Sequence, residues 1–161
     1  MRVWRLPGDV DTDQLAPGAT MKFGIEVTAK HCLEILRPEF AREVMPGDVI
    51  VAGPRFGIGS SREQAASALV HLGVAAVIAP SYAGLYFRNA FNVGLLLLTC
   101  DQAEQIDDAE VIRFDARAAR VWRADGEQLV CKPIPDFLLD MVDAGGLLPQ
   151  LKRRLAAKEL S

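Results

Sequence analysis

Short runs of consecutive apolar residues alternate with amphipathic stretches through the middle of the chain. The apolar runs lie between turn formers, which is the pattern of buried strands, and the stretches between them repeat apolar side chains at helical spacing. Strands are therefore predicted at residues 48–53, 74–79 and 95–99, and helices at residues 62–72 and 80–93. This alternation of strands and helices predicts parallel strands in an α/β layered core.

The flanking regions have weaker patterns, and no internal repeat occurs. The first part is predicted to contain a strand at residues 3–6, an ordered loop at 11–18, and short helices at 28–36 and 38–44, with Thr28 as a possible N-cap. The last part is predicted to contain strands at residues 110–114 and 128–131 and helices at 135–142 and 147–155. A length of 161 residues fits one domain spanning residues 1–161.

Composition and charge narrow the classes of function. Apolar residues make up 50% of the chain and charged residues 24%, as in ordinary globular proteins. The net charge of -3 argues against a general nucleic-acid or membrane-surface role, since both need a basic face. No run approaches the roughly 18 apolar residues of a membrane span, and no apolar leader segment follows Met1. These features predict a cytoplasmic protein.

The cysteines and histidines are too few and too dispersed for a metal site built by this chain alone. Three cysteines, at positions 32, 100 and 131, contain no CxxC pair, so we expect buried thiols in a reducing compartment. The only histidines are His31 and His71, which leaves too few ligands for a protein-only zinc site. We therefore expect no metal ligands in this chain.

The run GIGSSRE at positions 57–63, after a predicted strand, is the strongest candidate for chemistry. Its glycines free the backbone to take positive φ and to approach a ligand closely. Its serines are expected where a helix leaves its first N–H groups unpaired, which favours a carboxylate or phosphate. Its arginine adds a planar fork suited to bidentate carboxylate binding. The candidate ligand-binding residues are Gly57, Gly59, Ser60, Ser61 and Arg62.

Two other interpretations of this run are weaker. A helix start without a ligand, in which a serine is the N-cap and Glu63 closes a capping box, leaves the cation at Arg62 unexplained at a helix N-terminus. A nucleotide site is disfavoured because the turn has neither Gly-x-Gly-x-x-Gly nor a Gly-Lys-Ser/Thr ending. The aspartates at 11 and 13 could form a metal-binding pair, but turn-forming aspartates that bond their own backbone are commoner.

Several motifs occur in one order along the chain: GDVDTDQ at positions 8–14, PG at 17–18, DVIVAG at 48–53, FGIGSSRE at 56–63, VIAPSYA at 77–83, FRNA at 87–90 and GL at 94–95. Over about residues 7–100 the sequence resembles the small subunits of 3-isopropylmalate dehydratases, the swivel domains of the aconitase superfamily. The resemblance implies an aconitase-type swivelling β/β/α domain with three layers and a mostly parallel central sheet. It also implies a large-subunit partner, in a heterodimer or heterotetramer, that carries a [4Fe–4S] cluster.

The resemblance further implies a reaction and site residues. The family isomerises a small hydroxy acid, such as 2-isopropylmalate in leucine biosynthesis, by removing water and adding it back with the hydroxyl and hydrogen exchanged. Ser60 is then the base that takes the proton beside a carboxylate, and Arg62 holds a substrate carboxylate. Ser61 and Gly59 are implied to contact the substrate. The supporting residues are Asp13, Thr12 and Gly57.

Departures from the family pattern leave the substrate open. Ile58 and Gln64 replace the usual cysteine and histidine, and residues 19–24 read ATMKFG where arginine-tyrosine-leucine is common. In that loop Met21 would suit an alkyl group, whereas Lys22 could meet the distal carboxylate of a homoaconitate or homocitrate substrate. A 2,3-dimethylmalate hydro-lyase is a further possibility. From a different class, the chain could be a non-catalytic anion-binding module that kept the loop.

Overall fold

A computed structural model describes residues 1–160 and contains a parallel sheet at its centre. Its four strands pair in sequence order, and the two central strands are each hydrogen-bonded to two neighbours. Every residue of the two central strands is buried, which the unbroken apolar runs predicted. The strands are β1 (Val3–Arg5), β2 (Val49–Val51), β3 (Ala76–Ala79) and β4 (Leu96–Thr99). The predicted α/β class and the parallel sheet are confirmed.

Seven α-helices surround the sheets in the described part of the chain, and two of them connect neighbouring parallel strands. They are α1 (Thr12–Leu15), α2 (Ile25–Lys30), α3 (Phe40–Glu43), α4 (Gln64–His71), α5 (Gly84–Asn92), α6 (Asp136–Asp143) and α7 (Leu147–Glu159). Short 3₁₀ helices lie at Met21–Phe23 and Ala103–Gln105. Helix α4 links β2 to β3, and α5 links β3 to β4, as the alternating pattern predicted.

Among the predicted elements that differ from the structure, three lie near the glycine-serine loop (residues 57–63) or the segment before it. The helix predicted at 28–36 runs instead from Ile25 to Lys30, and Leu33 beyond it has φ +60, which is not helical. Thr28 therefore lies inside the helix and is not its N-cap; its hydroxyl donates to the Gly24 carbonyl. Residues 11–18 contain helix α1 in place of a continuous loop, because Asp11 and Gln14 form a capping box. Helix α5 begins at residue 84, four residues after its predicted start, because Phe56 pairs with residues 81–83 and keeps them extended.

A second, antiparallel sheet closes the fold near the C-terminal part. It consists of β5 (Arg113–Asp115), β6 (Arg120–Trp122) and β7 (Gln128–Val130), in that order. The sequence prediction missed β6, which has only one buried side chain, Val121, and is too short to alternate clearly. The Arg113 guanidinium covers the Trp122 ring at 4.2 Å, so the outer face of this sheet is shielded by a cation–π contact.

Both sheets and the first six helices contribute to one hydrophobic core, whereas α7 buries none of its residues. The core is anchored at β1 by Trp4, whose indole N–H donates to the buried Asp48 carboxylate at 2.9 Å. That a single domain spans the whole chain stays a prediction. Among the described residues, no helix is both long and apolar enough to cross a bilayer.

Candidate functional site

Two loops from distant parts of the chain lie side by side at the carboxyl end of β2. The Gly57 N–H donates to the Val10 carbonyl at 2.8 Å, and the Thr12 N–H donates to the Ile58 carbonyl at 2.8 Å. The Ser60 N–H then donates to the Thr12 hydroxyl oxygen at 3.0 Å. The glycine-serine loop is therefore held in register against the start of α1 by two main-chain hydrogen bonds and one to the Thr12 side chain.

The predicted positive φ of the two loop glycines is confirmed, but neighbours on the protein itself crowd them. Gly57 has φ +82, and a Cβ there would lie 2.1 Å from Cγ of Tyr86 on α5. Gly59 has φ +102, and a Cβ there would lie 2.8 Å from the Asp11 carboxylate. The loop thus packs against α5 on one side and against the cap of α1 on the other, which fixes its path.

The expectation that the serines sit at the helix N-terminus is wrong by a few residues. Helix α4 begins at Gln64, and its N-cap is Glu63, which makes no side-chain capping bond. The capping-box alternative is therefore wrong as well. Within residues 1–160, the backbone N–H groups of residues 61–64 have no hydrogen-bond acceptor. These unpaired donors can bind a carboxylate or phosphate.

Ser60 and Ser61 are exposed at the tip of the loop. The Ser60 hydroxyl lies 3.2 Å from the Thr12 hydroxyl, which is buried beneath it. The Ser61 carbonyl accepts a hydrogen bond from the Asn89 side-chain amide at 3.0 Å. Asn89 therefore supports the loop from α5, a role that its place in the FRNA motif did not specify.

Among the described residues, the Arg62 guanidinium is hydrogen-bonded through one of its three nitrogens only. Its Nη1 donates to the Asp13 carboxylate at 2.5 Å and to the Ala16 carbonyl at 3.1 Å. Nε and Nη2 have no hydrogen-bond partner among the described residues, so the edge that carries them is available for a carboxylate. The hydrogen bond from Arg62, together with one from the Gly18 N–H, lowers the pKa of Asp13.

Among the described residues, the side chains of Met21 and Lys22 make no hydrogen bond to the glycine-serine loop. Both belong to the 3₁₀ helix Met21–Phe23, where Met21 is half-buried and Lys22 is exposed. The Lys22 ammonium stacks over the Phe23 ring at 5.0 Å. In the described part of the chain, no hydrogen bond or ion pair joins either side chain to residues 57–63.

The described residues contain no group of three or more histidine, cysteine or acidic side chains that could hold a metal ion. The three cysteines are buried and unpaired. Burial raises the pKa of the Cys32 thiol, whereas a hydrogen bond from Cys131 lowers the pKa of Cys100. These groups do not fit the role of ligands to an iron–sulfur cluster, which is usually held by several thiolates.

The fold and the site together define an α/β domain in which one loop carries an exposed serine, an arginine with one unoccupied edge and backbone amides without acceptors among the described residues. The chain belongs to the aconitase C-terminal domain family, which matches residues 16–103. The family resemblance predicted from the sequence is thereby confirmed.

Its relatives carry related names. The chain is 44% identical to 3-isopropylmalate dehydratase small subunit 1 of Archaeoglobus fulgidus, over 91% of this chain and 92% of that protein. It is 42% identical to the methanogen homoaconitase small subunit of Methanothermobacter thermautotrophicus, over 91% of this chain and 86% of that protein. The crystal structure of 3-isopropylmalate dehydratase from Methanocaldococcus jannaschii superimposes with a TM-score of 0.91 at 34% identity, covering 98% of this chain and 95% of that chain. This match confirms the aconitase-type fold class.

Proposed function

We propose that this chain is the small subunit of a two-subunit hydro-lyase that isomerises 2-isopropylmalate to 3-isopropylmalate in leucine biosynthesis. The observation that carries the proposal is that an exposed Ser60 lies two residues before Arg62, whose Nε–Nη2 edge is unoccupied. The similarity to 3-isopropylmalate dehydratase small subunits over most of the chain supports the same reaction.

Each site residue has a role that follows from its position. The Nε–Nη2 edge of Arg62 binds a substrate carboxylate, and the free N–H groups of residues 61–64 share its charge. The Ser60 oxygen, which has lost its own proton to solvent and is stabilised as an alkoxide by the neighbouring N–H groups and Arg62, takes the proton from the carbon beside that carboxylate. The proton stays on Ser60 and returns to the adjacent carbon when water adds in the opposite orientation. Asp13 holds Arg62, and Gly57, Gly59 and Ser61 shape the loop.

A large-subunit partner completes the site in this proposal. Ser60 and Ser61 are exposed, and the described residues contain no group of side chains that could hold a metal ion to take the departing hydroxyl. The partner therefore supplies the other wall and, as family membership suggests, a [4Fe–4S] cluster. Both a heterodimer and a heterotetramer are compatible with this arrangement. We place the enzyme in the cytoplasm, where unpaired cysteine thiols persist.

The relative named as a homoaconitase small subunit favours a second substrate candidate. The exposed Lys22 could pair with the distal carboxylate of homoaconitate, whereas Met21 suits an alkyl group such as that of isopropylmalate or 2,3-dimethylmalate. Exchanging residues 19–24 for the sequence of either relative and comparing kcat/KM between the substrates separates these candidates. A substrate preference that does not follow the exchanged loop would remove this loop as the determinant.

The proposal is tested by mixing the chain with its cluster-loaded large subunit and following the absorbance of the unsaturated acid. Ser60→Ala should lower kcat by about 10²–10⁴-fold, the usual contribution of a positioned base. Ser67→Ala, which changes a serine on α4 outside the loop, is the matched control and should keep wild-type turnover. Near wild-type turnover of Ser60→Ala would rule out the base assignment. Anion binding without turnover in any reconstituted mixture would favour the non-catalytic module.

A further inference from the structure

The buried hydroxyl of Thr12 has a single hydrogen-bond acceptor for its proton among the described residues. Thr12 is 1% exposed, so bulk water does not satisfy it. Its oxygen already accepts the Ser60 N–H at 3.0 Å. Among the described residues, the only acceptor within reach of the Thr12 proton is the Ser60 oxygen, at 3.2 Å. Because buried hydroxyls are costly when unpaired, the proton of Thr12 belongs in that contact.

We propose that Thr12 is a positioning residue for the reaction, donating its hydroxyl proton to the Ser60 oxygen. This proposal rests on the proposed function, in which Ser60 is the base. The two bonds close a small ring: the Ser60 N–H points to the Thr12 oxygen, and the Thr12 O–H points back to the Ser60 oxygen. The proton of the resting Ser60 alcohol is thereby directed towards the open face, where it leaves to solvent, so that the alkoxide oxygen can take the substrate proton from that same face.

The donated bond also changes the chemistry of Ser60. A hydrogen bond to an oxygen is stronger when that oxygen is charged, so Thr12 stabilises the alkoxide more than the alcohol. The proton that Ser60 takes from the substrate then arrives on a side of the oxygen that Thr12 does not occupy. The same contact that orients the serine thus favours its deprotonated form.

The local structure holds Thr12 in place from both directions. The capping box of α1 fixes its helix, with the Asp11 carboxylate accepting the Asp13 N–H at 2.7 Å and the Gln14 side chain accepting the Asp11 N–H at 2.9 Å. The Thr12 N–H also donates to the Ile58 carbonyl, within the glycine-serine loop itself. Neither the helix nor the loop can move without the other, which suits a residue that must keep a fixed direction.

The test compares Thr12→Val, which removes the hydroxyl, with Thr12→Ser, which retains it, in the reconstituted two-subunit enzyme. Thr28→Val is the matched control, because Thr28 is also buried and hydrogen-bonded within a helix. We expect Thr12→Val to lower kcat at neutral pH at least tenfold and to move the acid limb of the kcat profile upward by about one pH unit. Thr12→Ser and Thr28→Val should stay within about threefold of the wild type, well short of the tenfold change that one pKa unit represents.

A second readout does not depend on turnover. Amide hydrogen exchange at Ser60 in the two-subunit enzyme should be faster in Thr12→Val and unchanged in Thr12→Ser, because only the first variant removes the acceptor of the Ser60 N–H.

Three results would overturn the proposal. They are wild-type kcat in Thr12→Val, an equal loss in Thr12→Ser, or a loss of kcat that leaves the acid limb where it was. If Ser60→Ala is inactive while Thr12→Val is normal, only the inference on Thr12 fails. If Ser60→Ala is itself active, the proposed base fails first.

Discussion

At the scale of single residues, the path of the glycine-serine loop is set by neighbouring side chains that leave no room for a Cβ at its glycines. Tyr86 lies directly below Gly57, and the Asp11 carboxylate lies beside Gly59. Ser60, by contrast, is exposed and contributes little to the core. The residues that fix the loop and the residues that would carry the chemistry are therefore different, and substitutions should separate their effects on stability and on turnover.

Gly57→Ala should unfold the chain more easily. The added Cβ would take an unfavourable positive φ and collide with the Tyr86 ring, for a cost of about 3–5 kcal/mol, in the range of severe core substitutions. Urea denaturation measures this change. Gly84→Ala is the control, since its Cβ meets nothing within 4 Å, and stability should be unchanged or slightly higher. Equal stability of Gly57→Ala and wild type would contradict the packing described for this glycine.

Tyr86→Phe should not destabilise the protein. The Tyr86 hydroxyl is buried without a hydrogen-bond partner in the described chain, and such a group costs roughly 1–3 kcal/mol. Removing it while keeping the ring should leave the free energy of unfolding the same or raise it by about 1 kcal/mol. Thermal unfolding of the two proteins decides the matter. A clear loss of stability would mean that the phenol has a partner after all.

The glycine-serine loop also shows which features of the site could be predicted from the sequence and which could not. The positive φ of Gly57 and Gly59 was predictable because only glycine takes it freely. That Thr12 lies under Ser60 was not, since 48 residues separate them along the chain. The free edge of Arg62 depends in the same way on Asp13 and the Ala16 carbonyl, and side-chain direction cannot be read from spacing alone.

At the scale of elements, the long apolar runs fixed β2, β3 and β4, and the helices between them, close to their predicted positions. Prediction failed where tertiary contacts override local preference. Pairing of Phe56 with residues 81–83 delayed α5, and the three-residue strand β6 has too few positions for a period to be seen. The second sheet buries Val121 and Leu129 in the core and is further stabilised by ion pairs and hydrogen bonds around Glu110.

Glu110 joins the start of the second sheet to its hairpin. Its carboxylate accepts from the Arg123 guanidinium and from the N–H groups of Asp107 and Ala124. Burial opposes ionisation, but these hydrogen bonds and Arg123 together lower the pKa of Glu110 below its ordinary 4.5. The carboxylate therefore stabilises the folded state above that pH, and the stabilisation is lost as the pH falls through the lowered value.

Glu110→Gln should consequently be less stable than the wild type at pH 7, by about 1–3 kcal/mol. The difference should shrink as the pH falls below the ordinary carboxyl pKa of 4.5 and through the lowered pKa of Glu110, because the wild-type carboxylate becomes protonated there. Denaturant titrations of both proteins at several pH values measure it. Glu127→Gln, which changes a more exposed partner of Arg123, should show a smaller effect. A difference that stays constant with pH would exclude this account of Glu110.

At the scale of the whole molecule, elements that adjoin the two site loops along the chain or in space carry exposed apolar side chains. Leu85 is 54% exposed and lies one helical turn before Asn89, whose amide contacts the loop. Phe23 is 61% exposed on the 3₁₀ helix that follows the other loop. Large apolar groups beside an open site are typical of a surface that a partner covers. In the proposed enzyme that partner is the large subunit.

Leu85→Ser should therefore weaken association with the large subunit by tenfold or more, as removal of a central apolar anchor commonly does. Leu148→Ser is the matched control, because Leu148 is 69% exposed on α7, the helix that buries nothing. Titration of the labelled chain with the large subunit gives both dissociation constants. If the control variant binds as weakly as Leu85→Ser, the contact face must include α7 instead.

The exposure of Ser60 has a genetic consequence. A side chain that supports no part of the core can be lost while the chain still folds, accumulates and keeps the surface that meets its partner. A cell producing both the wild-type chain and Ser60→Ala would then divide its large subunits between working and dead complexes. The mutant allele should be dominant in proportion to its expression, whereas an allele that changes Gly57, and so lowers the amount of folded chain, should be recessive.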